Sequence, residues 1–187
     1  MIECVHAGDC AAAFARYAPQ LKPEHLFWME GEDRLEPGQA FAHPVCLADG
    51  TLLNRYWDGH DGPREKSYRE DVLTARAGTR PHAEVNRDLR AGAESGWDFS
   101  SRWCADPERI ETIETTSILP VDLNALLWGL ESAIAVGCAG RGELAGAAAF
   151  SARARWLGAR PSIASCGART WATMSIFTGC GTNPAPA

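Results

Sequence analysis

Ala93-Glu94-Ser95-Gly96-Trp97-Asp98-Phe99-Ser100-Ser101-Arg102-Trp103 is the stretch around which this sequence is organised. The residues before it read as a helix, about His82 to Ala93, with Val85 and Leu89 four apart on one face. Gly96 breaks that helix and puts Asp98 on the loop at its end. Trp97 and Trp103 bracket the carboxylate with flat apolar faces of the kind on which sugar rings stack. They would also shield the carboxyl from water, and shielding raises an acid's pKa enough to keep a proton donor loaded near neutral pH. An isolated aspartate after a helix is ordinarily a cap or a solvated loop residue. The helical setting by itself leaves both readings open.

A chain of 187 residues is long enough for one domain with a sizeable core. The net charge of −6 is mild and spread out, with no basic stripe for nucleic acid and no polybasic membrane patch. Neither a signal peptide nor a transmembrane run is expected, because Met1 to Cys10 lacks a basic start and an apolar core. The compartment is not fixed by this. Seven cysteines without CxxC or Cys/His spacing argue against zinc, and the five histidines are scattered. No metal, cofactor or specific protein partner is implied.

Asp9 can cap a short helix over Ala11 to Tyr17, which Pro19 should end, and Pro23 suits the first turn of a second helix carrying Leu26, Phe27 and Trp28. Gly31 to Gly38 reads as a loop. Ala42 to Leu47 and Thr51 to Tyr56 flank Ala48-Asp49-Gly50, a hairpin signal. Asp58 to Pro63 is a loop delivering Arg64, Glu65 and Lys66 ahead of Ser67, which with Glu70 predicts a capping box and a helix to about Ala77. Gly78 to Pro81 stops it. Beyond the Asp98 loop, Pro107 to Glu111 predicts a short helix and Thr115 to Leu119 an extended run. Pro120 starts the most apolar helix, with Leu123, Leu126, Leu127, Leu130 and Ile134 on one broad face. A last helix, about Gly142 to Arg155, is packed by Leu144 and Phe150.

Several ordered blocks now fall into place together. Asp49-Gly50-Thr51-Leu52-Leu53-Asn54-Arg55-Tyr56-Trp57-Asp58, Pro63-Arg64, Ser67-Tyr68-Arg69-Glu70-Asp71, Arg87-Asp88-Leu89-Arg90, the Glu94 to Trp103 stretch, and Pro120-Val121-Asp122-Leu123-Asn124 stand in a fixed order. From about Phe14 to Phe150 the chain resembles the trehalases, glycoside hydrolases that cleave α,α-trehalose. The resemblance implies an all-α fold, part of an (α/α)6 toroid with one small β-hairpin. It also implies trehalose as the small-molecule partner and an inverting mechanism with two carboxyl groups, roughly 6.5–9.5 Å apart to admit a water. Position by position, Asp98 matches the family's general acid and Gly96 a backbone substrate contact. Arg64 matches an arginine that holds sugar hydroxyls, a task suited to its forked donors.

Trehalases carry Pro-Arg-Pro-Glu-Ser where this chain reads Pro63-Arg64-Glu65-Lys66-Ser67. The resemblance implies substrate-binding positions for Glu65 and Lys66, and Lys66 reverses the charge of the family's acid. Asn54, Arg55, Arg69 and Arg102 read equally as polar lining or as loop anchors. Glu94 and Asp122 read first as helix-end caps.

Trehalases are longer than 187 residues, so a central portion is expected, with the water-activating carboxylate elsewhere and little or no turnover from this chain alone. Residues 1–10 are an atypical head, 11–155 a partial catalytic domain, and 156–187 an atypical tail. From Arg160 that tail loses helical period, gathers Gly, Thr, Ser, Pro and Cys, and reads as disordered or frameshifted. Back-translation with GC-rich codons in a shifted frame can give Phe-Leu-Trp, Gly-His-Tyr and Asp-Phe at the spacing of the trehalase segment expected there. On this reading the apolar helix from Val121 shows an uncovered leucine face.

Overall fold

A computed structural model describes residues 10–158, with the side chains of 155–158 left undescribed. The fold is mainly helical, with five α-helices and one two-stranded antiparallel sheet among the described residues. The chain divides into two compact units, one built from residues 10–29 and 121–158, the other from residues 30–120. The expectation of a frameshifted or disordered tail falls almost wholly outside the described residues.

The first unit packs α1 (Cys10–Trp28) and α5 (Leu144–Gly158) against α4 (Val121–Gly140). The sequence reading broke α1 into two helices at Pro19 and Pro23, and the structure corrects this to one continuous helix. Each proline lacks an N–H and so leaves the carbonyl four residues back without its helical donor, at a cost of ~3 kcal/mol or more. Close packing along α4 offsets that. Ala18 is fully buried, and a Cβ on Gly137 would stand 2.5 Å from the Phe14 carbonyl oxygen and 2.7 Å from the Ala18 Cβ. Glycine is therefore needed where the two backbones meet.

Leu123, Leu127, Ile134 and Cys138 form the buried stripe of α4. Leu126, grouped by the sequence reading on one broad face with Leu123, Leu127, Leu130 and Ile134, is 63% exposed, and Leu144 of α5 is 74% exposed. At 100° per residue, 123, 127 and 134 share a face that 126 leaves. The uncovered apolar surface is thus a different one: Trp128, Val136, Ala147 and Ser151 line an open groove on α4 and α5. By length and composition α4 is also apolar enough to cross a membrane, although the sequence reading expected no transmembrane run. It nevertheless carries Glu131 in mid-helix, 1% exposed. Glu131 Oε1 meets His25 Nε2 of α1 at 3.0 Å and Arg153 Nε of α5 at 2.8 Å, so one carboxylate joins all three helices.

At the α4–α5 link, Glu143 accepts from Lys22 Nζ at 2.6 Å and from Arg141 Nε at 2.7 Å. Those two donors hold its carboxyl down at about 2.

In the second unit, β1 (Pro44–Cys46) pairs with β2 (Leu52–Asn54) in the register Pro44 to Asn54 and Cys46 to Leu52. The hairpin turns where Ala48-Asp49-Gly50 requires it: Gly50 has φ +80°, and the Thr51 N–H bonds to Asp49 Oδ1 at 2.9 Å. Then follow α2 (Tyr68–Ala77) and α3 (His82–Glu94). Val85 and Leu89 of α3 join Val45, Leu53, Tyr56, Trp103 and Ile113 in the core.

Three local expectations in this unit need correction. The capping box does not form, because Ser67 closes a 3-10 turn over Glu65–Ser67 and its N–H is already bonded to the Arg64 carbonyl at 3.2 Å. Pro107 to Glu111 is not a helix. The Asp106 side chain takes the Glu108 N–H at 3.1 Å, and a 3-10 turn follows at Ile110–Thr112. Thr115–Ser117 is a 3-10 turn rather than an extended run, since buried Asp88 accepts both the N–H and the hydroxyl of Thr116, at 2.8 and 2.7 Å.

Candidate active site

Arg64 stands just before the turn that leads into α2, and Asp71 lies in the first turns of that helix. The path between them folds the acid back beneath the arginine. Asp71 Oδ2 accepts from both the Arg64 backbone N–H and Nε at 2.9 Å, and Oδ1 accepts from Nη2 at 2.7 Å. Both side chains are buried. This is the planar two-point pairing for which a guanidinium is built. The hydrogen bond to Asp71 raises the Arg64 pKa, burial opposes the rise, and the charges of Asp71 and Asp98 add to it.

Asp98 is brought to this arginine by the loop after α3. Ser95 Oγ donates to the Gly92 carbonyl at 2.5 Å and accepts the Trp97 N–H at 3.0 Å. Gly96 turns the chain with φ +72°, a left-handed conformation that a side chain would strain. The Ser100 N–H then closes onto the Trp97 carbonyl at 2.7 Å. Phe99, next to Asp98, lays its ring under Arg64, with the guanidinium carbon 4.8 Å from the ring centroid. The ring rests on α3, where a Cβ at Gly92 would come within 3.0 Å of it.

The aromatic shield expected around Asp98 is not formed. Trp103 is 1% exposed and packs edge-to-face on Tyr56 at 5.9 Å, while its Nε1 donates to the Trp97 carbonyl at 3.2 Å. Trp97 is 52% exposed and stacks with Arg102 at 4.5 Å. Asp98 itself is exposed. Trp103 is a core residue because its indole N–H finds a carbonyl inside, which frees a large ring to be buried.

Glu65 and Lys66 lie in the exposed 3-10 turn beside Arg64. Arg64, Glu65, Lys66, Gly96 and Asp98 therefore all belong to one unit, and the contact of Phe99 with Arg64 ties the Asp98 loop to the arginine. Arg55 is an anchor: it donates to the Ala42 and Thr116 carbonyls, both at 2.9 Å, and burial lowers its pKa to about 10. Arg69 is exposed and Asn54 buried. Glu94 does not cap its helix; its carboxylate accepts the Trp57 N–H at 2.9 Å and meets His43 Nε2 at 3.1 Å. Among the described residues no group of three His, Cys, Asp or Glu side chains could hold a metal ion.

Asp71 and Phe99 escaped the sequence reading as site residues. An acid in a first helical turn has an ordinary explanation in the helix dipole. The available signal was the spacing from Arg64 to an acid across a helix start.

Arg64 and the exposed Asp98 lie on loops of one helical unit, in the order of the motifs read from the sequence. The chain belongs to the trehalase family, whose profile, described as Trehalase, matches residues 1–160. It is 57% identical over 144 residues to the periplasmic trehalase of Pseudomonas aeruginosa, covering 76% of this chain and 26% of that protein. It is 54% identical over 140 residues to the periplasmic trehalase of Xanthomonas axonopodis pv. citri, covering 74% and 25%. The chain spans about a quarter of the length of these curated relatives.

Proposed function

We propose that this chain contributes the general-acid half of a site for inverting hydrolysis of α,α-trehalose to glucose. In this reading Asp98 protonates the departing glycosidic oxygen. Arg64, Glu65, Lys66 and the Gly96 backbone bind sugar hydroxyls. The observation that carries it is the contact of Phe99, the residue after Asp98, with the Arg64 guanidinium at 4.8 Å, which holds the loop of Asp98 to Arg64, the two residues that match the catalytic and binding positions of the family motifs. An exposed carboxyl can reach a ligand, and an arginine with a fixed orientation can grip adjacent hydroxyls.

Inversion also needs a carboxylate to activate water from the opposite face of the sugar. Asp71 does not suit that role, because both its oxygens are engaged by Arg64. That favours a second reading, in which this chain binds trehalose weakly without turning it over. Glucose release from trehalose by the purified 187-residue chain, wild type against Asp98→Asn, separates the two. Release that is abolished in Asp98→Asn supports hydrolysis. No release, with trehalose binding retained, supports the second reading, and release unaffected by Asp98→Asn refutes the role given to Asp98.

A further inference from the structure

We infer that Asp71 and Phe99 are positioning residues that together hold the Arg64 guanidinium in one orientation, leaving its unspent donors for a pair of sugar hydroxyls beside Asp98. This rests on the sugar-binding reading of Arg64 and extends it to two residues that the family motifs leave without a role in this chain.

A guanidinium has five N–H donors in a rigid fork. Asp71 takes Nε and Nη2 along one edge, and its Oδ2 takes the Arg64 backbone N–H as well. The same carboxylate thus fixes both the root of the side chain and its head. One edge of contact still allows the plane to tilt. The Phe99 ring, 4.8 Å from the guanidinium carbon, supplies the missing plane. That ring cannot sink away, since it already rests on α3 over Gly92. What remains free is the Nη1 pair and one Nη2 hydrogen. Asp71 sits on α2 and Phe99 follows Asp98 directly, so the binding arginine and the loop of the acid are held by one set of contacts. A long flexible side chain fixed before the ligand arrives loses less entropy on binding it.

The test uses the 187-residue chain labelled with nitrogen-15. The Arg64 Nε–H signal is assigned by its loss in Arg64→Lys, its exchange with solvent is measured near neutral pH, and trehalose is titrated in. Asp71→Asn should speed exchange of that one proton about tenfold or more, the scale of losing a charged hydrogen bond, while the Val85 and Leu89 amides stay protected. Asp71→Glu should restore part of the slowing. Phe99→Leu should speed exchange roughly 2–5-fold, as expected for removing a cation–π contact. Both variants should shrink the trehalose-induced shift of the Arg64 signal. Unchanged exchange in Asp71→Asn, with the core amides protected, overturns the inference. If Asp71→Asn unfolds the core, unchanged exchange in Phe99→Leu overturns it instead. A wild-type Arg64 signal that ignores trehalose refutes the sugar-binding reading, whereas the exchange data still decide whether Asp71 and Phe99 hold the arginine.

Discussion

Gly137→Ala should unseat α1 from α4, and its cost follows from the geometry. The added methyl would stand 2.5 Å from the Phe14 carbonyl oxygen and 2.7 Å from the Ala18 Cβ. Both obstacles belong to backbone or to a side chain with no rotamer to escape into, so the helices themselves must separate. Overpacking of this kind costs about 1–3 kcal/mol, whereas alanine for glycine within a helix returns ~0.8–1 kcal/mol of propensity. A net loss of up to ~2 kcal/mol remains, or up to about 8 °C in Tm for a chain of this size. Gly129 lies in the same helix, and a methyl added there would meet nothing within 4 Å. Gly129→Ala should therefore raise Tm by about 2–4 °C. The assay is thermal unfolding of the two variants side by side, followed by circular dichroism. Equal stability of Gly137→Ala and Gly129→Ala would refute the close approach of α1 to α4.

Two further outcomes follow from charges in the first unit. Glu143 is held at about 2 in the fold against an ordinary 4.5, so it favours folding fully above pH 4.5 and loses that contribution as pH falls through about 2. Glu143→Gln should be less stable than wild type in denaturant titrations at pH 6, with the gap closing as pH is lowered toward 2; a gap that widens on acidification contradicts the pairing with Lys22 and Arg141. Glu131→Ala should cost about 3–5 kcal/mol, because it takes the carboxylate partner from the buried His25 imidazole and breaks the tie to Arg153 that joins three helices. Chemical denaturation that moves by less than ~1 kcal/mol would show that this carboxylate does not join the bundle.

Local chemistry made some elements plain and hid others. Ala48-Asp49-Gly50 gave away the hairpin because a positive φ and an aspartate side chain close such a turn without outside help. The extent of α3 was legible from Val85 and Leu89, which sit on one face and are both buried. Pro19 and Pro23 misled, since their cost is local while the offsetting gain comes from Gly137, far along the chain. Thr115–Ser117 misled for the same reason: β-branched residues favour extension until a buried acid, Asp88, claims their backbone. In the site, Arg64 and Asp98 were legible as motif positions. Asp71 and Phe99 were not, because their part lies in touching Arg64 rather than in any pattern of their own. Trp103 was misjudged because a tryptophan beside an acid looks the same in sequence whether its ring faces a ligand or the interior.

The first unit is interrupted in sequence, and its assembly has a timetable as a result. The partners of α1 are made long after it: His25 and Glu131 are separated by 106 residues, Lys22 and Glu143 by 121. At ~5–20 residues per second, a ribosome needs roughly 5–20 s to deliver α4 after α1 has been made. During that interval α1 carries two prolines and no packing surface, and a helix of its length is marginal alone in water. Residues 30–120 are contiguous and can condense meanwhile. The amino-terminal helix is thus synthesised first among the described elements and docks among the last, as a waiting strand of chain open to chaperones and proteases until Gly137 arrives.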